Sequence, residues 1–218
     1  MTAFLSVDAS SPVFSAAFVR FEGPGDPVVE FRRDMPLARS DSTGLFSALE
    51  EAVRDHGKPD ALVTGLGPGS YNGLRSAIAS MRAMGTALAI PLHGVPSPLA
   101  MPVDAAEFLV AGDARGGSLW VARVGGGAFL QEPALISPDD LAALREREPS
   151  LPLAGPAPLT ELHFRGGFRD LIVSTPDAVR LAIVARRNDP FYSLATTPEP
   201  LYLKPPHITA PRPRTATA

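Results

Sequence analysis

The 218-residue sequence contains no cysteine, so disulfides, thiolate metal ligands and a cysteine nucleophile are excluded. It also lacks an excess of basic charge. The formal net charge of −3 implies no broad basic surface of the kind that binds nucleic acid. No apolar run is long enough to span a bilayer, and the opening residues Met1 to Asp8 carry neither a basic segment nor a long apolar one. The expectation is therefore a cytoplasmic protein with no membrane partner. The apolar and charged fractions, 45% and 20%, are those of a globular chain with a sizeable core.

Catalytic signatures are missing as well. The histidines His56, His93, His163 and His207 form no HxxxH or HExxH pair, so no metal site is expected. His56 stands at a predicted helix C-terminus, where partial positive charge is favourable, and His93 lies in an apolar strand. Glu50-Glu51 reads as a solvated helix face, and Trp120 reads as core. No residue is assigned a catalytic role.

What the chain does contain is an organising stretch from Ala61 to Val95. Ala61-Leu62-Val63 reads as a buried strand, and a turn from Gly65 to Gly73 follows, rich in glycine and stiffened by Pro68. A helix is predicted from Leu74 to about Ala89, then a second strand from Pro91 to Val95. The turn matches neither GxxxxGK[ST] nor GxGxxG, because Gly73 arrives one residue late after Gly67-Pro68-Gly69. Ser70 sits outside a GxSxG elbow. The loop is thus as well explained by turn geometry as by a ligand.

The helix carries two stripes. Leu74, Ile78, Met81 and Leu88 suit packing on a sheet. Ser76, Ser80, Ala83 and Ala87, with Ala79 beside them, form a second stripe of small residues, and Arg75 and Arg82 lie on one edge. A surface helix normally shows a more charged outer face. This one is expected to be covered twice, by its own sheet and by either a neighbouring helix or a partner.

Elsewhere, strands are predicted at Phe4 to Val7, Phe14 to Phe21 and Val28 to Arg32, joined by tight turns as a meander. A helix is expected from Thr43 to Asp55, capped by Asp41 or Ser42, with Leu45, Leu49, Ala52 and Val53 facing inward. Leu5-Ser6-Val7-Asp8-Ala9 followed by Ala17-Phe18-Val19 then recurs as Val110-Ala111-Gly112-Asp113-Ala114 followed by Ala122-Arg123-Val124. A segment from Phe129 to Ile136, a helix from Pro138 to Arg147 and an apolar run from Leu151 to Gly155 repeat the order of the first half. The expected organisation is a first subdomain at 1–98, a smaller second one at 99–203, and a proline-rich, disordered tail at 204–218. A short helix is expected from Asp177 to Arg187, and Leu159 to Arg169 shows no periodicity.

Gly67-Pro68-Gly69-Ser70-Tyr71-Asn72-Gly73-Leu74-Arg75, together with the following helix and Ile90-Pro91-Leu92, resembles the TsaB (YeaZ) family, whose motif is close to GPGS[FY]TG[LV]R. Asp113-Ala114-Arg115 and Leu201-Tyr202-Leu203-Lys204-Pro205-Pro206 extend the resemblance, and Asn72 and Asp41 depart from it. The resemblance implies an α/β actin-like ATPase (ASKHA) fold of two similar subdomains with mixed sheets, the second reduced. It implies a non-catalytic subunit of the complex that makes threonylcarbamoyladenosine at tRNA position 37. The implied partners are a TsaD-like transferase and a TsaE-like ATPase, with tRNA engaged only indirectly. The implied contact with TsaD uses the helix after the motif, placing Arg75, Ser76, Ala79, Ser80, Arg82, Ala83 and Ala87 at the interface, and self-association through the same helix when the partner is absent. In nucleotide-binding members of the superfamily, the first turn of each half faces phosphates across a cleft. Asp8, Ser10 and Asp113 occupy those turns here, and the alternative is that each Asp binds its own turn's amides. No cofactor is expected, with ATP binding at these turns as the less favoured alternative. The competing function is a stand-alone actin-fold phosphotransferase, and a historical glycoprotease label finds no nucleophile or metal pair to support it.

Overall fold

The computed structural model describes residues 1–23, 25, 27–37, 43–156, 170–187 and 198–204. The sequence expectations for Asp41, Ser42, His163, His207, Leu159 to Arg169 and the tail beyond Lys204 lie outside the described residues.

The first half opens with a meander. Strand β1 (Thr2–Asp8) pairs antiparallel with β2 (Val13–Phe21), which pairs with β3 (Val28–Pro36). Helix α1 (Thr43–His56) leads to β4 (Ala61–Gly65), which pairs parallel with β1. Helix α2 (Tyr71–Leu88) then leads to β5 (Leu92–Val95), parallel to β4. The sheet order is β3-β2-β1-β4-β5.

The second half repeats this plan. A buried 3-10 turn (Ser97–Ala100) connects to β6 (Glu107–Asp113), β7 (Leu119–Gly125) and β8 (Ala128–Ile136), an antiparallel meander. Helix α3 (Pro138–Arg147) precedes β9 (Leu153–Gly155), parallel to β6, and β10 (Leu171–Val173), parallel to β9. The order β10-β9-β6-β7-β8 mirrors the first sheet, so the chain shows the duplication expected from the repeated Asp turns, in the actin-like form that the resemblance implied. The strands β9 and β10 are shorter than β4 and β5, which is the reduction anticipated for this half.

β1 alternates between two cores. Ala3, Leu5 and Val7 face α1 and α2 through Leu45, Leu49, Ala77 and Met81. Phe4, with Ala17, Val19 and Phe21 of β2, faces a second core shared with Trp120, Val110 and the last helix among the described residues, α4 (Ala178–Arg186). A strand buried on both faces must pair any polar side chain it carries. Ser6 does so: its Oγ lies 2.6 Å from the Ala178 carbonyl, while Ser15 Oγ accepts from Ala178 N at 3.1 Å. A helix from the end of the chain is thereby planted on the first sheet. The proline-rich connector is interior: Ser97, Leu99, Ala100 and Met101 are all buried.

Candidate functional site

The site grows from the C-terminal ends of β1 and β4, the edge where open α/β sheets gather their loops. α2 starts at Tyr71, three residues earlier than the sequence pattern suggested. Ser70 caps it, its Oγ accepting from Gly73 N at 3.3 Å. Tyr71, Asn72 and Gly73 therefore form the first helical turn rather than the end of the loop. Gly73 is required there for close approach: a Cβ would overlap the Ala9 carbonyl and Leu37. The helix closes on Ala89, a non-glycine residue at φ 52°.

The loop before α2 folds inward. Gly67 N donates to Ser97 Oγ at 2.9 Å, Ser70 N to the Ser10 carbonyl at 2.7 Å, and Leu74 N to the Ser70 carbonyl at 2.9 Å. The amides of Gly67, Ser70, Gly73 and Leu74 are thus engaged by protein. Asp8 sits beneath them, wholly buried. Its Oδ1 accepts from Ser10 N at 2.8 Å and Ser10 Oγ at 2.6 Å, and its Oδ2 accepts from Ser97 Oγ at 2.5 Å. Desolvation by burial holds the Asp8 carboxyl above its ordinary value, against the opposing pull of the Ser10 and Ser97 hydrogen bonds. Gly65 completes the packing, because a Cβ there would overlap Asp8 Oδ2. Asp8 and Ser10 knot three loops together.

The second Asp turn is open. Asp113 Oδ1 accepts from Arg115 N at 2.6 Å, and its carboxylate also pairs with the Arg115 guanidinium at 3.5 Å. Arg115, Gly116 and Gly117 all adopt positive φ. The segment Pro198 to Lys204 links the two turns. Leu201 N donates to the Leu66 carbonyl at 2.8 Å, and Lys204 Nζ donates to the Arg115 carbonyl at 2.9 Å. Three residues of chain reach about 10 Å and the lysine side chain adds its own length, which keeps the loop before α2 and the Asp113 turn on one side of the molecule.

On α2, Leu74, Ile78 and Met81 are buried against the sheet, whereas Leu88 is half-buried. Ala77 and Gly85 join the buried face. Ala79, Ala83, Ala87, Arg75 and Arg82 are exposed, and Ser76 and Ser80 are half-buried, Ser80 Oγ donating back to the Ser76 carbonyl at 2.6 Å. Among the described residues no neighbouring helix covers this stripe. Arg82 reaches the Pro198 carbonyl at 2.9 Å, so the linking segment borders it.

Sequence reasoning missed Ser97 as a partner of Asp8 and missed the pairing of Tyr71 with Tyr202, whose rings lie 5.3 Å apart. The apolar-basic run Leu201 to Lys204 was the available signal for the second, and nothing in sequence indicated the first. Trp120 is core, as expected. His56 ends α1 against Phe18 and Phe31, and His93 is half-buried in β5. Among the described residues no group of three His, Asp or Glu side chains is placed to hold a metal, and no helix is long and apolar enough to cross a membrane.

Comparison with known proteins supplies a family. The family model described as TsaD, tRNA N6-adenosine threonylcarbamoyltransferase, matches residues 44–148. A Mycobacterium bovis protein described as uncharacterized is 34% identical over 156 residues, covering 69% of this chain and 71% of that protein. A Mycobacterium leprae protein, also described as uncharacterized, is 34% identical over 146 residues, covering 65% of this chain. The match spans only 40% of that longer protein. Among solved structures, YeaZ from Pseudomonas aeruginosa superposes with a TM-score of 0.73 at 21% identity, over 93% of this chain and 100% of that one.

Proposed function

The chain belongs to the TsaB (YeaZ) family, and we propose that it acts as the non-catalytic subunit of the tRNA position-37 threonylcarbamoyladenosine complex. In this reading it pairs with a TsaD-like transferase through α2, and a TsaE-like ATPase joins the pair. The observation that supports it most is the bare stripe of Ala79, Ala83 and Ala87, with Arg75 and Arg82 beside it on the same helix. Small residues let a second helix approach closely, and an uncovered face of this kind is unusual on a monomer. α1, on the same face of the sheet, exposes Phe46 at 52%. A second copy of the chain would use the same stripe when the transferase subunit is absent.

The test is Ala83→Arg, with Ser80→Arg as a second variant. Either substitution places a long cation in the contact, where the partner must withdraw or bury an unpaired charge. Ala83→Arg should melt within a few degrees of the parent and fail to co-purify with the TsaD-like subunit. Unchanged affinity for that subunit would refute the interface.

A further inference from the structure

One surface feature lies beyond the small-residue stripe. The rings of Tyr71 and Tyr202 pair at 5.3 Å, tilted by 32°, and both are exposed, at 42% and 48%. Arg75 lies over Tyr71, its guanidinium 5.2 Å from the ring centroid, and donates to the Tyr71 hydroxyl. Lys204 follows Tyr202 by two residues and donates to the Arg115 carbonyl. The Arg115 side chain itself is 84% exposed. Arg75 thus stacks on one ring of the pair, while Lys204, two residues along the chain from the other ring, holds the turn that carries the exposed Arg115.

The charge of this edge contrasts with that of the whole chain. α2 carries two arginines and no acidic residue. Of the acidic residues nearby, Asp113 is bound within its own turn to Arg115, and Glu199 lies three residues before Tyr202. Beyond Lys204 the sequence adds Arg212 and Arg214 and no acidic residue. In a protein of net charge −3, exposed aromatics accompanied by cations match a ligand that alternates flat π faces with negative charge.

We propose that Tyr71, Tyr202, Arg75, Lys204 and Arg115 form a contact surface for single-stranded RNA. Unpaired bases stack on the tyrosines while the cations meet the flanking phosphates. The family's tRNA-directed description makes RNA the occupant to test first. This contact is direct and needs no partner subunit, so it goes beyond the assembly role. A duplex hides its base faces and should bind the same surface more weakly.

The experiment is fluorescence anisotropy of a short labelled single-stranded RNA with the full-length chain at low salt. Tyr202→Ala should weaken binding about tenfold, whereas Tyr202→Phe, which keeps the stacking face, should bind as the parent does. The double variant Arg115→Glu, Lys204→Glu should abolish binding. The single variants Arg115→Ala and Lys204→Ala should each reduce the salt slope by about 0.7. Arg54→Glu, the same charge change in the last turn of α1, should have no effect. Ala83→Arg should leave RNA binding intact, and Tyr202→Ala should leave the transferase subunit bound, so the two proposals fail separately. No RNA binding by the parent chain overturns the inference, as does binding indifferent to Tyr202→Ala. Loss of the protein partner in Tyr202→Ala with RNA binding unchanged also overturns it, and reassigns the patch to protein contact.

Discussion

Ser97 Oγ donates a 2.5 Å hydrogen bond to Asp8 Oδ2, although 89 residues separate the two. The bond joins the end of β1 to the connector between the halves, and the same hydroxyl accepts from Gly67 N at the start of the glycine-rich loop. A single buried hydroxyl therefore fixes the register of three loops at once.

Asp8 gives this node a pH dependence. Burial raises its folded-state value above the ordinary 3.8, so the folded protein holds the proton more tightly than the unfolded chain does. The resulting stabilisation is complete below the unfolded value and is lost as pH rises through the raised folded value. Asp8→Asn has no such proton. The melting temperature of the parent, relative to that of Asp8→Asn, should therefore fall as pH rises across this window. Parallel profiles would show that Asp8 does not titrate as its burial requires.

Gly65→Ala should destabilise by about 3 kcal/mol in chemical denaturation. The new methyl would overlap Asp8 Oδ2 and come within 2.8 Å of Ser97 Oγ, and both groups are buried and hydrogen-bonded to each other. A loss no greater than that of an exposed glycine-to-alanine change, such as Gly25→Ala, would show that the node yields.

Two positions on α2, two residues apart, should behave oppositely. Met81 is fully buried against β1 and α1, and Met81→Ala should cost about 2–5 kcal/mol. Ala83 is exposed, and Ala83→Arg should leave the unfolding midpoint nearly unchanged. Comparable losses at both positions would mean that the stripe is covered from within the chain.

ATP with magnesium should leave the melting temperature of the isolated chain unchanged. The loop amides of Gly67 and Ser70 are bound to Ser97 and Ser10, and both Asp8 oxygens are taken. A saturable rise with ATP concentration, of the kind mass action gives a native-state ligand, would show that these bonds open to admit it. Asp113→Ala, on the open turn, should change the activity of a reconstituted complex by no more than a few-fold.

The periodicity of α2 and the repeated Asp turns were legible because they rest on local spacing. A helix stripe recurs every three or four residues, and β1 and β6 begin and end 105 residues apart, Asp8 matching Asp113. The helix start was misplaced by three residues because Gly73 resembled loop chemistry. Its glycine serves close packing against the Ala9 carbonyl, and the cap on Ser70 decides where the helix begins.

The sequence by itself determined the two mixed sheets, the motif that marks the family, and the division of α2 into an apolar face and a small-residue face. Tertiary structure alone decided that Asp8 is buried beneath Ser97, that α4 from the second half packs on the first sheet through Ser6 and Ser15, and that Tyr202 meets Tyr71. The physical reason is range. Propensity and periodicity act over one or two turns of chain, whereas a buried polar group chooses its partner from whatever the folded topology brings within hydrogen-bond reach.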